Sequence, residues 1–417
     1  MKIPISKFVI PSLLFSLIII NEIFYRKTLF NKSINFEKKL QSFFGKKFFK
    51  YYFRVMSSLG GKYIIIPLII MLMFTPINFF IIELFIFSLS CYLSGFLKLI
   101  YGNPRPFWID NTIKIDCEGS YGNPSGHSIT STSIYLSMCY FMTQTKFFRT
   151  RSIYWKILAY SIYNFFIFNI IFSRLYFGVH SINQVIFGFL LGLWIFYLVI
   201  FVFNIQKKKP KEFLDFIYDY FFYILSGYII LFFIAFPFYF LKRDNDTLYK
   251  NIINEICPKI SESNILQNDS LYMLLIYLSF IGVIIGEIQT ILLVKQKNYD
   301  NYTDDLINWH RYFFKENTTF LRYFGFIFVF SIIYILIYLI FIIIKNDYLR
   351  DFLGISLSEF VAFGYMFVNI FETERIENPR YHNQNEEGDQ QNLNILNEEE
   401  TKIIDDDEEK QSLIGSN

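Results

Sequence analysis

Apolar residues run along this chain in long blocks, broken by short polar or charged stretches. A bilayer core of about 30 Å takes about 20 apolar residues as a helix. That ruler picks out ten candidate spans: 7–24, 62–76, 78–97, 128–145, 153–172, 184–205, 213–241, 271–294, 320–345 and 352–371. Pro76 and Asn78 predict a tight turn between the second and third. The first reads as an uncleaved signal anchor, because no small-residue cleavage site follows Ile20 and its flank is Tyr25-Arg26-Lys27. From about Thr373 the pattern stops. The remaining residues are rich in Glu, Asp, Asn and Gln and read as a disordered cytoplasmic tail. Within that tail, Glu408-Glu409-Lys410 through Leu413-Ile414 resembles an acidic dileucine sorting signal, although a solubilising tail is the simpler reading.

Composition agrees with this pattern. Of 417 residues, 53% are hydrophobic and 21% aromatic, which points to an all-α, polytopic transmembrane bundle rather than soluble domains. The net charge of +3 is a near-cancellation of local blocks and carries little information on its own. The partner implied is the bilayer, and nothing in the sequence points to nucleic acid. The four cysteines lack metal-ligand spacing. Cys91 and Cys139 lie in apolar runs and read as packing residues. Cys117 and Cys257 lie in loops expected on the same side, which leaves a disulfide between them open.

The local charges set an orientation. Lys146, Arg149 and Arg151, and then Lys207, Lys208, Lys209 and Lys211, mark two loops as cytoplasmic by the positive-inside rule. Residues 26–62 are also basic yet fall outside by the same alternation. Their aromatic and basic run from Phe44 to Phe53 is expected to lie in the interface as an amphipathic helix. Glycosylation patterns at Asn245 and Asn268 fit an outside loop, but those at Asn301 and Asn317 fall inside, so sequons decide little in this Asn-rich chain.

Three polar segments interrupt the apolar pattern at expected span ends. They are Lys98-x6-Arg105-Pro106, Pro124-Ser125-Gly126-His127 and Ser173-Arg174-x5-His180-x3-Gln184. Taken singly, each has an ordinary reading. Boundary cations snorkel, Pro-Ser-Gly makes turns, and a histidine near a helix end is commonly structural. Together they place three cations, a hydroxyl and two of the chain's four histidines on one face. The other two, His310 and His382, fall in a cytoplasmic loop and in the tail and receive no role.

Phosphomonoester hydrolysis without a metal needs positive donors around the phosphoryl oxygens, an in-line nucleophile and an acid for the leaving oxygen. Together these must remove about 20 kcal/mol of barrier. Arg105 and Arg174 each offer a planar fork to two oxygens, and Lys98 adds a point charge. Ser125 can donate its hydroxyl, and Gly126 lets a backbone N–H approach closely. His180 and His127 are then the nucleophile and acid candidates. His180 and Gln184 stand four residues apart, which on a helix places them on one face. Gln184 would then accept the His180 Nδ1–H where a carboxylate is expected.

The motif order resembles that of the type-2 phosphatidate phosphatase superfamily, which includes lipid phosphate, sphingoid phosphate, isoprenyl-diphosphate and glucose-6-phosphatases. The resemblance covers about residues 60–205. It implies a six-helix core and a metal-free, cofactor-free phosphohistidine mechanism, with His180 as nucleophile and His127 as general acid. Lys98, Arg105, Ser125, Gly126 and Arg174 form the phosphate cradle by the same resemblance. Gln184 departs from the family's Asp and resembles the glucose-6-phosphatase and dolichyl-diphosphate phosphatase branches.

The chain then divides into an N-terminal span and interfacial segment (1–61), a phosphatase core (62–205), about four further spans of unassigned role (206–371) and the acidic tail (372–417). Pro106-Phe107-Trp108, Cys117-Glu118-Gly119 and Gly122-Asn123 are locally similar to the glucose-6-phosphatase branch. Gly178-Val179-His180-Ser181-Ile182 and the ten-span plan look more like sphingoid-phosphate phosphatases. The expectation is a lipid phosphate monoester hydrolase acting on the lumenal or extracytoplasmic face. A sugar or isoprenyl-diphosphate phosphatase is the alternative enzyme, and a silent phospholipid-binding protein the alternative of another class. The family implies an endoplasmic-reticulum or other endomembrane location, with the plasma membrane also open, and is compatible with a homodimer.

Overall fold

The computed structural model describes residues 5–61, 63, 64, 66–68, 77–203, 216–241, 247–257, 270, 273, 274, 276 and 277. The expected spans at 320–345 and 352–371 and the acidic tail lie outside the described residues, as does most of those at 62–76 and 271–294. Helices longer than a single turn are α1 (Val9–Ile20), α2 (Arg26–Phe43), α3 (Lys47–Leu59), α4 (Ile77–Tyr101), α5 (Gly126–Gln144), α6 (Ile153–Tyr176), α7 (Ile182–Tyr197), α8 (Phe221–Leu241) and α9 (Thr247–Ile256). A wider turn at Asn21–Tyr25 joins α1 to α2 without a break in the helical path.

Five helical stretches among the described residues are long and apolar enough to cross a membrane: Ser6–Phe43, Phe79–Ile109, Ile153–Tyr176, Ile182–Val202 and Phe221–Tyr239. The chain is an all-α, multi-pass membrane protein. The expected span at 128–145 coincides with α5, which is not among the five. Its sequence, Gly-His-Ser-Ile-Thr-Ser-Thr-Ser, is too rich in hydroxyls, and α5 is almost wholly buried.

A polar helix survives in that position because its hydroxyls bond within the helix. Thr130 Oγ1 donates to the Gly126 carbonyl at 3.0 Å, Ser133 to Ile129 at 2.9 Å and Ser137 to Ser133 at 2.7 Å. Helices α4, α6 and α7 surround it. The contact with α7 is close because Gly188 and Gly192 face it. A Cβ at Gly188 would lie 2.5 Å from the Ser125 carbonyl oxygen, and one at Gly192 2.7 Å from that of Ile129. Small residues four apart permit such backbone approach in membrane bundles.

The basic stretch after the first span is two helices that pack onto the bundle. α3 lies along α6, with the Phe53 ring 4.7 Å from Tyr176 and 5.6 Å from Phe172, and Tyr52 donates to Asn169 Oδ1 at 2.9 Å. α2 lies against α7, where Ser33 Oγ accepts from the Ile182 N–H at 2.8 Å. Gln41 Nε2 donates to the carbonyls of Ile113 and Tyr176 at 2.7 and 2.8 Å. These contacts bring the N-terminal residues against the ends of α6 and α7, beside the three polar segments.

Candidate active site

Backbone hydrogen bonds tie the three polar segments together. Gly122 N–H donates to Asn103 O at 2.8 Å, Ser125 N–H to Gln184 O at 3.1 Å, and Phe107 N–H to Gly178 O at 3.3 Å. Loops 102–107, 120–125 and 178–184 thus form one floor, and the side chains they carry converge over it. Asn123, followed by a cis peptide bond to Pro124, donates to the Glu22 carboxylate at 2.9 Å, so the N-terminal helix path also grips this floor.

Arg105 is fully buried and held on several sides. Its Nε donates to Ser120 O at 2.5 Å, one terminal nitrogen to Val179 O at 2.8 Å, and the other to Ser120 Oγ at 2.8 Å. Lys98 reaches the same Ser120 hydroxyl at 3.0 Å. Arg174, at the last turn of α6, donates to Ser57 Oγ of α3 and to Glu118 Oε1. Glu118 Oε2 lies 2.9 Å from Arg105. One carboxylate therefore bridges both guanidiniums.

His180 is 1% exposed and stands just ahead of α7. Its Nδ1 lies 2.8 Å from the carbonyl oxygen of Gly122. A carbonyl only accepts, so Nδ1 carries the proton and the lone pair is on Nε2. Nε2 lies 3.1 Å from Arg105, whose N–H donates to it. Burial first, and then the Arg105 and Arg174 charges, hold this imidazole well below the usual histidine range. It is neutral near pH 7, as a nitrogen nucleophile must be.

His127 is in the first turn of α5, just ahead of the span expected at 128–145. Burial and then Arg174 push its pKa down to about 3. A Cβ at Gly61 would lie 2.6 Å from its Nε2, so glycine keeps that nitrogen unobstructed. Glu118 is pushed up by burial, but Arg174, Arg105, His127 and His180 outweigh this and hold it well below the carboxylate range.

One site residue, Gln184, acts differently from expectation. Gln184 does not accept from His180. Its Oε1 accepts from the Ser181 N–H at 3.1 Å, and its Nε2 donates to Pro104 O at 2.9 Å. Ser181 is the N-cap of α7 and Gln184 its N3 residue, so His180 lies outside the helix and the four-residue spacing no longer implies a shared face. The Ser181-x-x-Gln184 pattern is itself a capping-box signature that the sequence displays. Gly126 packs its α-carbon against α4, where a Cβ would meet Ser94 Oγ at 2.8 Å. Ser125 caps α5, accepting from Ser128 Oγ at 2.9 Å and from the Ser128 N–H at 3.4 Å.

Residues 79–208 match the model of the PAP2 superfamily. This segment, hereafter the PAP2 segment, is similar to that superfamily. The PAP2 segment holds Lys98, Arg105, Ser125, Gly126, His127, Arg174, His180 and Gln184, whereas Ser57, Gly61 and Glu22 lie before it. The chain is 35% identical over 82 residues to phosphatidylglycerophosphatase B of Bacillus subtilis (strain 168), a match that covers 20% of this chain and 39% of that protein. The chain thus spans well under half the length of this curated relative. A crystal structure described as the first transmembrane PAP2 type phosphatidylglycerolphosphate phosphatase, from Bacillus subtilis, is similar at 22% identity. It has a TM-score of 0.41 and covers 48% of this chain and 98% of that one.

Cys117 and Cys257 form a disulfide, with sulfurs 2.05 Å apart. The option left open by the sequence is thus the one observed. Cys91 and Cys139 are buried thiols.

Proposed function

We propose that this chain is an integral membrane phosphatase that removes phosphate from a lipid phosphomonoester through a phosphohistidine on His180. The observation that carries the reading is the fixed tautomer of His180. Gly122 holds the Nδ1 proton, and the Nε2 lone pair is aimed at the Arg105 guanidinium where a phosphoryl oxygen would sit.

Phosphate binding transfers Arg105 from Nε2 to the phosphoryl oxygens, with Arg174 and Lys98 neutralising the rest of the charge. Nε2 attacks phosphorus in line. The N–P bond forms as the bond to the leaving oxygen breaks, and His127 gives that oxygen a proton. A phosphate dianion opposes the Arg174 effect on His127 and raises its proton affinity when the acid is needed. Water then attacks phosphorus, His127 takes its proton, the N–P bond breaks and orthophosphate leaves. The positively charged N-terminal end of α5 adds to the anion's stabilisation throughout.

The Cys117–Cys257 disulfide supports a lumenal or extracytoplasmic site, because such bonds persist in oxidising compartments. The donor set supplies the positive charge that a metal would otherwise provide, so activity is expected to survive chelators.

A substrate panel on purified protein in detergent tests the reading. It contains phosphatidate, a sphingoid phosphate, phosphatidylglycerol phosphate, an isoprenyl diphosphate and glucose 6-phosphate. Turnover of a lipid monoester is expected. Turnover of glucose 6-phosphate or the diphosphate alone would replace the substrate assignment, and absence of turnover would favour a phospholipid-binding role.

A further inference from the structure

The arginine pair of the cradle is spanned by an anion of the chain itself. Glu118 contacts Arg105 and Arg174 together, yet its side chain is 29% exposed, so solvent lies on the side away from the guanidiniums. It belongs to the irregular loop between the Asn111–Ile113 turn and α5. That loop is fastened to α9: Cys117 is bonded to Cys257, and Lys114 Nζ donates to the Ile256 carbonyl. α9 in turn rests on the Pro106–Ile109 turn, with the Tyr249 ring tilted against Trp108 at 5.5 Å. The reach of Glu118 into the cradle is therefore set by a helix beyond the PAP2 segment.

We propose that Glu118 is a specificity residue of this site, a tethered carboxylate that competes with the incoming ligand for Arg105 and Arg174. The inference rests on the phosphatase reading above. A ligand with one negative charge, such as a carboxylate or a phosphodiester, offers the two guanidiniums no more than Glu118 already does. A terminal phosphomonoester dianion offers more charge and a third oxygen for Lys98, and it displaces Glu118 towards solvent. Glu118 is ionised at neutral pH, held so by the same arginines, and is a full competitor there.

A carboxylate that merely braced the arginines would act in the opposite direction, since its removal would loosen the cradle and weaken phosphate binding. The test uses purified full-length protein in detergent, titrated with inorganic phosphate. Thermal-unfolding midpoints give the affinity, and inhibition of turnover gives a second measure. Glu118→Gln is expected to bind phosphate about tenfold more tightly and to show a matching fall in the inhibition constant. Glu118→Asp keeps the charge but is too short to bridge both guanidiniums, and it is expected to shift the same way by less. It also carries the test if the Gln variant does not fold. Equal or weaker phosphate affinity in the variants overturns the proposal and leaves the cradle intact. No response to phosphate in any of the proteins, together with no turnover across the substrate panel, overturns the phosphatase reading and this inference with it.

Discussion

The carbonyl oxygen of Gly122 accepts the Nδ1–H of His180 at 2.8 Å, the position where a side-chain carboxylate was expected. A main-chain carbonyl fixes the tautomer without a charge and cannot flip as an amide can. Gly122 has no room for a side chain. A Cβ there would lie 2.6 Å from Gln184 Nε2 and 2.7 Å from Pro104 O. Gly122→Ala is expected to shift this carbonyl and lower kcat by on the order of 100-fold, with KM much less affected. Steady-state kinetics on the preferred panel substrate checks it, and an unchanged kcat would remove Gly122 from the account.

Gln184 supports the floor under His180 from a distance. Gln184→Leu leaves the Ser181 N–H and the Pro104 carbonyl without partners, at about 1–3 kcal/mol each. A lower unfolding midpoint and a lower kcat are expected together. Gln184→Glu keeps the acceptor for Ser181 and should recover part of both. Full activity in the Leu variant would contradict this.

Ser57 reaches Arg174 from α3, outside the PAP2 segment. A hydrogen bond to a charged group contributes about 1.5 kcal/mol or more, so Ser57→Ala is expected to raise KM up to about tenfold while kcat stays near wild type. A loss confined to kcat would show that Ser57 acts on the chemical step instead.

The pH profile follows from the two histidines. His180 is held low and must be neutral, so it imposes no acid limb near the ordinary histidine value of 6.5. Transfer to the leaving oxygen needs one proton shared by His127 and the phosphate. With His127 at about 3 in the free protein, that proton enters on the phosphate, whose second pKa is about 6, and passes to His127 on binding, which leaves the dianion in the cradle. kcat/KM is therefore expected to fall as pH rises through about 6. A kcat/KM that climbs between pH 6 and 8 would contradict the assignment of His127.

Five of the expected spans, together with the cations and histidines, were legible in the sequence because each has a local signature, either an apolar run or a motif at a span end. Glu118, Ser57, Ser120 and Gly61 were not, since each acts through a partner far along the chain. Ser57 and Arg174, for example, are 117 residues apart. Gln184 differs from its sequence expectation for a local reason. Its four-residue spacing from His180 implies a shared face only within a helix, and Ser181 caps α7 after His180. The polarity of α5 weakens its signal as a span, and only its burial among α4, α6 and α7 explains why so many hydroxyls are tolerated.

The most direct test of the account is to trap the phosphorylated protein. Purified enzyme is quenched during turnover of a radiolabelled lipid phosphate, and the labelled peptide is identified by mass spectrometry. Acid-labile, base-stable phosphate on His180 is expected. It should be lost in His180→Ala, which should also lack turnover, and should persist longer in His127→Ala, where water is no longer activated. Label on a serine, or turnover retained by His180→Ala, would contradict the central claim.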